Sequence, residues 1–196
     1  MCGRFQLAIE LDRILEKYGV LKANVDFLPQ KEIFPTNKSI IVVKNGIEKD
    51  IKMVKWGFTA SFAKRPLINA RSETVSIKPT FKDSFIQRRC LVPVSGYFEW
   101  KKDSGQSVKY IIRSEDSIFS LAGIYKSLND RDGRVIEEYT ILTRPANKNI
   151  RHIHERMPVI IDSKYEDVWL NKDVRNISLL NNIMSDQNIE LLAERV

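Results

Sequence analysis

Short β-rich runs separated by turn residues fill the middle of this chain, and they constrain its fold more than any other feature. The stretch SIIVVKNGIEKDIKMVKW contains two such runs around Asn45-Gly46, a preferred pair for a type I′ turn, and predicts a hairpin. The runs CLVPVSGYFEWKK, SVKYIIR, SIFSLAGIYK, EEYTILTR and MPVII follow, with Gly, Ser and Asp between them. Many short strands with few helices predict an α+β fold built on a curved sheet or barrel.

Three segments predict short helices around these strands. Apolar residues recur at helical spacing near the N-terminus, at Leu7, Leu11, Ile14, Leu15 and Tyr18. Gly19 is expected to end this first helix. PTFKDSFIQR predicts a second helix, and the capping-box spacing of Ser163 and Glu166 predicts a third one in SKYEDVWL. We find no repeat, linker or break in composition, so residues 1–196 are expected to form a single domain.

The composition limits the cellular setting. The chain has 196 residues, of which 43% are hydrophobic, which suits one domain with a sizeable core. Its longest apolar runs are a few residues, far short of the ~20 that span a bilayer, and its start lacks the pattern of a signal peptide. Cys2 and Cys90 lie far apart and do not suggest a disulfide framework. We therefore expect a cytoplasmic protein with no membrane partner.

The net charge of +7 suits a polyanionic partner such as nucleic acid. The lysines are scattered, however, and many of them are expected only to solvate the surface. The one dense basic cluster is Arg88-Arg89 in QRRC. Charge alone is therefore weak support for DNA binding.

The opening stretch MCGRF places a cysteine directly after the initiator methionine. Cysteine is small enough to permit removal of Met1, and removal leaves Cys2 with a free α-amine next to its own thiol. No other position in a chain offers this 1,2-aminothiol. The alternative is that a cysteine stands here by chance, and the position alone favours that alternative.

The stretch GYFEWKK places Glu99 among aromatic residues on a predicted strand. Alternation puts Phe98 and Trp100 on one face, and Tyr97 and Glu99 on the other. An exposed strand glutamate is the common case. In a cleft, partial desolvation would instead raise the pKa of Glu99 from ~4.3 towards the range useful for general acid–base catalysis.

Two further stretches carry candidate polar groups. In RHIHERMPVI, His152 and His154 would share a face of a strand, and both stand at the mouth of an apolar strand, where active-site residues are frequent. The chain lacks CxxC and HExxH spacing, so no metal site is predicted. In PLINARSET, Asn69 is either a turn or cap residue or an amide that orients a substrate beside Arg71.

Taken together and in order, MCGRF, WGF, INARSET, RRCLVPVSGYFEWKK, TILTRPAN and IHERMPVII resemble the SRAP family, the SOS response-associated peptidases or abasic-site-processing proteins. The resemblance covers roughly residues 1–170. It implies the SRAP fold, a single α+β domain of barrel-like, curved, mostly antiparallel sheets with short flanking helices. It also implies covalent crosslinking to abasic sites in single-stranded DNA. We expect no cofactor or metal, and we expect the protein to be a monomer.

The resemblance also implies roles for individual residues. Carried over by motif, Cys2 is the nucleophile, and the catalytic set is completed by Asn69, Glu99 and His154. In the chemistry we infer, the Cys2 amine attacks the open-chain aldehyde and forms an imine. The thiol then closes a thiazolidine ring, which shields the strand from β-elimination. Ordinary pKa values of ~7.7–8.0 for the amine and ~8.5 for the thiol leave a minority of each group in its reactive form at pH 7.

Contacts to DNA follow from the same resemblance. Arg4 and Arg71 match positions that line the DNA cleft. Many members carry a Trp pair before Asn-Ala-Arg, whereas this chain has only Phe62 in TASFAKRP, which offers a smaller ring for stacking on a base. Two other functions stay open: a thiol peptidase or autopeptidase that uses Cys2, and a non-catalytic module that binds single-stranded DNA through its charge.

Overall fold

The strands form two sheets in the part of the chain that the computed structural model describes, residues 2–103, 105–129, 132–186 and 189–196. In chain order the strands are β1 (Arg4–Leu7), β2 (Gln30–Ile33), β3 (Lys38–Asn45), β4 (Glu48–Trp56), β5 (Asn69–Arg71), β6 (Arg89–Val94), β7 (Gly96–Asp103), β8 (Gln106–Ser114), β9 (Phe119–Asn129), β10 (Val135–Pro145), β11 (Arg156–Pro158), β12 (Ile160–Ile161) and β13 (Leu191–Arg195). The helices are α1 (Leu11–Tyr18), α2 (Pro79–Gln87), α3 (Glu166–Leu170) and α4 (Ile177–Ser185), and a 3₁₀ turn, Ser163–Tyr165, precedes α3.

Five strands of the larger sheet close into a barrel. Antiparallel pairs join β4 to β3, β3 to β6, β6 to β9 and β9 to β10. A parallel pair between β10 and β4, with Glu138 opposite Lys55, completes the ring. The short strands β5 and β11 both pair with β10, and β12 pairs with β9. The predicted barrel-like, mostly antiparallel α+β fold is therefore confirmed.

The smaller sheet has the order β13-β8-β7-β1-β2 and packs against the barrel through aromatic side chains. The ring centroids of Phe5 on β1 and Trp56 on β4 lie 5.1 Å apart, and Trp56 stacks on Tyr139 of β10 at 6.4 Å. Side chains of this kind contribute roughly 1.5–3 kcal/mol each when they are fully buried. The contact fixes the start of the chain, including Cys2, at the junction of the two sheets.

Gly57 in the WGF stretch is required by a close approach of two chain segments. Its φ is +115°, and a Cβ added there would lie 2.8 Å from the Cβ of Pro66. The Gly57 N–H also donates to the Tyr139 carbonyl at 2.7 Å. A side chain at this position would push the loop of residues 59–66 away from the barrel.

The predicted hairpin is confirmed, but its turn lies one residue later than expected. Asn45 pairs with Glu48, so Gly46 and Ile47 form the two-residue loop. Gly46 has a φ of +65°, whereas Ile47 is not among the described residues with positive φ. A turn with positive φ only at its first central residue is of type II′, the type that places glycine there, and not type I′.

Other local predictions are confirmed in part. The first helix stops at Gly19 as predicted, but it begins only at Leu11, because Leu7 belongs to β1, where strand pairing overrides the helical spacing. PTFKDSFIQR forms α2, and MPVII forms parts of two strands, β11 and β12. The predicted capping box at Ser163 is wrong, because the Asp162 side chain accepts from the Lys164 N–H and caps the turn. None of the helices in the described residues is long and apolar enough to cross a membrane.

Candidate active site

Cys2 is buried at the junction of the two sheets, directly before β1. Its side chain is 0% exposed, and its Sγ–H points to the Arg4 carbonyl at 3.7 Å. The Cys2 carbonyl accepts a hydrogen bond of 2.9 Å from the Asn69 Nδ2 amide. Asn69, which lies 67 residues further along the chain, therefore holds the backbone of Cys2 in place. Met1, whose removal the sequence predicts, lies outside the described residues.

Asn69 reaches Cys2 because β5 extends one side of the barrel. The strand pairs in parallel with β10, with Asn69 opposite Ile141, and the Trp56 indole N–H donates to the carbonyl of the preceding residue, Ile68, at 2.9 Å. The alternative of a turn or cap residue is wrong for Asn69, since its amide bonds to Cys2. The Asn69 Oδ1 is buried and has no hydrogen-bond partner among the described residues. This oxygen is available to a donor on Cys2 or on a ligand.

Glu99 faces the interior from β7. The predicted alternation holds: Tyr97 and Glu99 are buried on one face, and Phe98 and Trp100 lie on the other face, where the cations of Lys109 and Arg4 cover them. Glu99 is 2% exposed, so the common alternative of a solvent-exposed glutamate is wrong. Burial raises the pKa of Glu99 to about 7, which places its titration in the range used by general acids and bases.

The Cys2 thiol is protonated in this environment. Burial, and after it the charge of Glu99, raise the pKa of the thiol above its ordinary value. The ordinary value alone leaves a small fraction of thiolate at neutral pH, and these surroundings reduce that fraction further. Thiolate chemistry at Cys2 therefore needs a base that removes the proton as the bond to sulfur forms.

His154 lies in the turn before β11, at the strand entrance that the sequence predicts. Its Nδ1 lies 2.9 Å from the Arg156 backbone nitrogen, whose N–H it accepts, and 3.1 Å from the Arg156 carbonyl oxygen, and burial lowers the pKa of the ring. A neutral ring whose Nδ1 is an acceptor carries its proton on Nε2 and can donate from there. His152, in contrast, is exposed, and the two histidines occupy a turn and not one face of a strand.

Arg156 and Glu73 form an ion pair that the sequence reasoning did not assign. An Arg156 Nη2 also donates to the Thr143 carbonyl at 2.8 Å, and hydrogen bonds from Arg156 lower the pKa of Glu73. Thr143 pairs with Arg71 on β5 and with Pro158 on β11. The pair therefore links the segment of Asn69 and Arg71 to that of His154. In the sequence, the feature that indicates this ion pair is the arginine within the stretch IHERMP.

The three residues predicted to contact DNA differ in their surroundings. Arg71 is exposed at the end of β5, close to Asn69. Arg4 lies over the Phe34 ring at 4.2 Å, and its Nη1 is 3.2 Å from a Glu32 carboxylate oxygen. Phe62 is 74% exposed in the loop of residues 59–66. Arg4 and Arg71 therefore lie in the two segments that hold Cys2, β1 and β5, and Phe62 lies on a separate loop.

The loop that carries Phe62 is anchored by a buried carboxylate. Glu138, 1% exposed, accepts hydrogen bonds of 2.6 Å from both the N–H and the hydroxyl of Thr59. Lys55 and Lys126 each lie 3.5 Å from this carboxylate, and Lys126 donates to the Thr59 carbonyl at 2.6 Å. The start of the loop is therefore fixed, while Phe62 itself faces solvent.

The predicted basic cluster Arg88-Arg89 is not a surface pair. Arg89 is 4% exposed, and its guanidinium donates to the backbone carbonyls of residues 85, 86, 169, 171 and 174. Burial lowers the pKa of Arg89 to about 10. This side chain joins α2 to the chain around α3 and is not available to DNA.

Among the described residues, no three His, Cys, Asp or Glu side chains are grouped as metal ligands would be.

Comparisons with known proteins agree with this architecture. The family model described as SOS response associated peptidase (SRAP) matches residues 1–196. Abasic site processing protein YoqW of Bacillus subtilis (strain 168) is 34% identical over 185 residues, which cover 87% of this chain and 80% of that protein. Abasic site processing protein YedK of Escherichia coli (strain K12) is 25% identical over 181 residues, or 89% of this chain and 81% of that protein.

A solved structure shows the same fold. The X-ray crystal structure of a protein from Bacteroides thetaiotaomicron superposes with a TM-score of 0.88, at 23% sequence identity. The superposition covers 100% of this chain and 92% of the other. The two-sheet arrangement that encloses Cys2 is therefore shared at low sequence identity.

Proposed function

Because this chain belongs to the SOS response associated peptidase (SRAP) family, we propose that it processes abasic sites in DNA through a covalent bond at Cys2. Relatives named abasic site processing proteins support the substrate class. The single observation that carries the proposal is the hydrogen bond of 2.9 Å from the Asn69 amide to the Cys2 carbonyl, beside the buried Glu99. A cysteine with only a packing role does not need a buried carboxyl group beside it.

The reaction begins after Met1 is removed, because the α-amine of Cys2 is otherwise a peptide nitrogen. The neutral amine attacks C1′ of the ring-opened sugar, and loss of water from the carbinolamine gives an imine. The thiol sulfur then bonds to the imine carbon, and the thiol proton is transferred to the nitrogen. The product is a five-membered thiazolidine. Amine and thiol belong to one residue, and well-oriented intramolecular reactions reach effective molarities of ~10⁵ M and above.

Glu99 is the proton carrier in this scheme. Burial raises the pKa of its carboxyl group from the ordinary value towards neutral pH, so the group can both accept and return a proton. The ionised form takes the proton from the Cys2 amine or thiol, whose own pKa is raised by burial. The protonated form supplies a proton to the departing hydroxyl of the carbinolamine. One buried carboxyl group therefore serves both halves of the reaction.

Asn69 and His154 orient the reacting groups. Asn69 fixes the Cys2 backbone through its Nδ2, and its buried Oδ1 accepts a hydrogen bond from the Cys2 amine or the sugar. The Nε2–H of neutral His154 donates to the sugar oxygen and favours the open-chain aldehyde. Arg4 and Arg71 bind phosphates of a single strand near Cys2, and Phe62 stacks on a base.

A thiol peptidase is the second candidate, and the thiol itself argues against it. Peptidases of this type rely on a thiolate that a neighbouring cation stabilises. Here burial and a carboxylate raise the pKa of Cys2, which disfavours a standing thiolate. A non-catalytic binding module has no use for a buried carboxyl group beside the cysteine. The crosslinking reaction uses both features.

Intact mass spectrometry after mixing the protein with an abasic single-stranded oligonucleotide tests the proposal. We expect loss of Met1, and a mass increase equal to the oligonucleotide minus one water, which matches a thiazolidine formed from an aldehyde. The adduct should survive heat and SDS on a denaturing gel, and an undamaged oligonucleotide is the control. Absence of the adduct in protein that demonstrably lacks Met1 would refute the proposal.

A further inference from the structure

Glu32 lies between two cations on the outward face of the smaller sheet, beside the pocket of Cys2. One of its carboxylate oxygens is 3.2 Å from Arg4 Nη1, and the other accepts a hydrogen bond from Lys109 Nζ. The three residues come from three strands of this sheet: Arg4 from β1, Glu32 from the neighbouring edge strand β2, and Lys109 from β8, which β7 separates from β1. None of the three is fully buried, since their side chains are 36%, 24% and 28% exposed, respectively. Solvent-borne anions can therefore reach both cations.

Aromatic rings hold both cations independently of Glu32. The Arg4 guanidinium lies 4.2 Å from the centroid of Phe34 and 5.3 Å from that of Trp100. The Lys109 ammonium lies 4.2 Å from the centroid of Phe98 and 5.9 Å from that of Trp100. Cation–π contacts of this kind contribute about 0.5–1 kcal/mol at exposed sites. Removal of the carboxylate therefore leaves the two positive charges in position.

We propose that Arg4 and Lys109 form a phosphate subsite in which Glu32 is the internal competing anion. A carboxylate that gives one oxygen to each cation occupies the place of two non-bridging oxygens of a phosphodiester. Exposed ion pairs of this type are weak, so an incoming phosphate can displace the carboxylate at small cost. The inference rests on the proposed function and deepens it: Lys109 extends the strand-binding surface beyond Arg4, and Glu32 limits its affinity.

The position of the subsite gives it a role in the reaction. Arg4 is two residues from Cys2, and Lys109 is opposite Trp100 on the next strand outward, so a strand leaving the pocket crosses this face. In the free protein, Glu32 neutralises both cations. A phosphate is therefore held there only if it displaces the Glu32 carboxylate, which is part of the protein. Glu32 thereby weakens binding to intact and abasic strands alike, because a phosphate contact does not sense the missing base.

The test compares Glu32→Gln with Asp167→Asn by fluorescence anisotropy, using an undamaged single-stranded oligonucleotide over a salt series. Both changes remove one negative charge, and Asp167 pairs with Lys49 at 3.2 Å on another part of the surface. One added phosphate contact steepens the slope of log K against log salt by about 0.7, which is about fivefold in affinity at 0.1 M salt. We expect a gain of this size or larger for Glu32→Gln, and less than half of that slope change for Asp167→Asn.

Lys109→Met in the Glu32→Gln background completes the test. We expect this second change to abolish most of the gain, because Lys109 is the cation that Glu32→Gln frees together with Arg4. Equal effects of Glu32→Gln and Asp167→Asn, or a gain that persists without Lys109, would overturn the proposal. The oligonucleotide has no abasic site, so failure of the crosslinking chemistry would leave this result unaffected and would be recognised separately.

Discussion

The two cysteines of this chain are equally buried, yet they lie in opposite kinds of surroundings. Cys90 on β6 is opposite Gly123 on β9, and a Cβ at Gly123 would lie 2.7 Å from the Cys90 Sγ. Its carbonyl accepts from the Trp169 indole N–H at 2.9 Å. Cys2 also has 0% exposure, but an amide holds its carbonyl and the carboxyl group of Glu99 influences its thiol.

Burial raises the pKa of both thiols, so neither burial nor thiol acidity distinguishes a reactive cysteine from a packing one here. The difference lies in the polar groups that accompany each thiol. Burying a carboxyl group costs free energy and is not needed for packing. The Cys90 thiol fills the narrow space between two barrel strands, and burial alone raises its pKa. The Cys2 site retains costly polar groups, and this cost is the physical sign of chemistry.

Replacing each cysteine by serine is expected to separate the two sites most sharply. Cys2→Ser should lose the stable adduct completely, because no thiol remains to close the thiazolidine. Its α-amine survives, so borohydride should still trap an imine. Cys90→Ser should form the adduct at a rate close to wild type. Denaturing gels with and without borohydride measure both outcomes, and loss of the adduct in folded Cys90→Ser protein would reverse the assignment.

Glu99→Gln should slow adduct formation by about 10²–10⁴-fold at neutral pH, which is the usual contribution of a positioned acid–base group. The wild-type rate should rise with pH as the Glu99 carboxyl group ionises near pH 7. The variant should keep only the limb of the Cys2 amine, whose ordinary pKa is ~7.7–8.0. Rates at saturating DNA, measured by quenched-flow gels from pH 5.5 to 8.5, test both expectations.

Glu166→Gln is the matched control for that experiment. Glu166 is 4% exposed and accepts a hydrogen bond of 2.6 Å from Ser120, away from Cys2. Its replacement should leave the rate and the pH profile unchanged. If the two variants slowed the reaction equally, Glu99 would have only a structural role.

The sequence predicts the barrel and names the residues of the candidate site, but it does not predict the distances between those residues. Alternation along GYFEWKK correctly separates Glu99 from Phe98, but it cannot say which face is inside, because Lys109 and Arg4 cover the aromatic face from other strands. The Asn69–Cys2 bond likewise depends on how β5 extends the barrel, and no local pattern encodes that placement.

For Arg89, the sequence pattern predicts the wrong environment. Two adjacent arginines indicate a basic surface, whereas burial of one of them is decided by carbonyls up to 85 residues away in the chain. Glu32 was missed for the same reason, since its partners come from β1 and β8. Charge patterns along a sequence do not reveal which charges tertiary contacts neutralise.

Between pH 4.5 and 8, Glu99 should also make the stability of the protein depend on pH, and Cys90, whose pKa lies above this range, should not. The folded-state pKa of Glu99 is about 7, above its ordinary value of 4.5, so the folded state binds a proton more tightly than the unfolded state between these values. Stability therefore falls as pH rises from about 4.5 to 7, and the penalty is fully present above pH 7.

Glu99→Gln removes this penalty and is expected to stabilise the protein by about 1–3 kcal/mol at pH 8, with little gain at pH 4.5. Thermal unfolding at the two pH values provides the measurement, with an expected rise of about 2–4 °C per kcal/mol at pH 8. Cys90→Ser should change the melting temperature by a similar amount at both pH values. A gain for Glu99→Gln that did not depend on pH would show that its carboxyl group is not desolvated.

The smallest expected effect concerns DNA binding at the surfaces near Cys2 and near Cys90. Arg71 is exposed at the end of β5 beside the Cys2 pocket, whereas Arg88 is half-buried next to the strand that carries Cys90. Arg71→Ala and Arg88→Ala remove the same charge.

If a single strand passes only the Cys2 side, Arg71→Ala should flatten the slope of log K against log salt by about 0.7 and weaken binding about fivefold at 0.1 M salt. It should act equally on intact and abasic strands, because a phosphate contact does not sense the missing base. Arg88→Ala should change the slope by much less, once thermal unfolding has shown that it remains folded. Equal slopes for Arg71→Ala and wild type, together with a flattened slope for Arg88→Ala, would mean that the strand approaches from the Cys90 side, and the proposed path past Arg71 would be wrong.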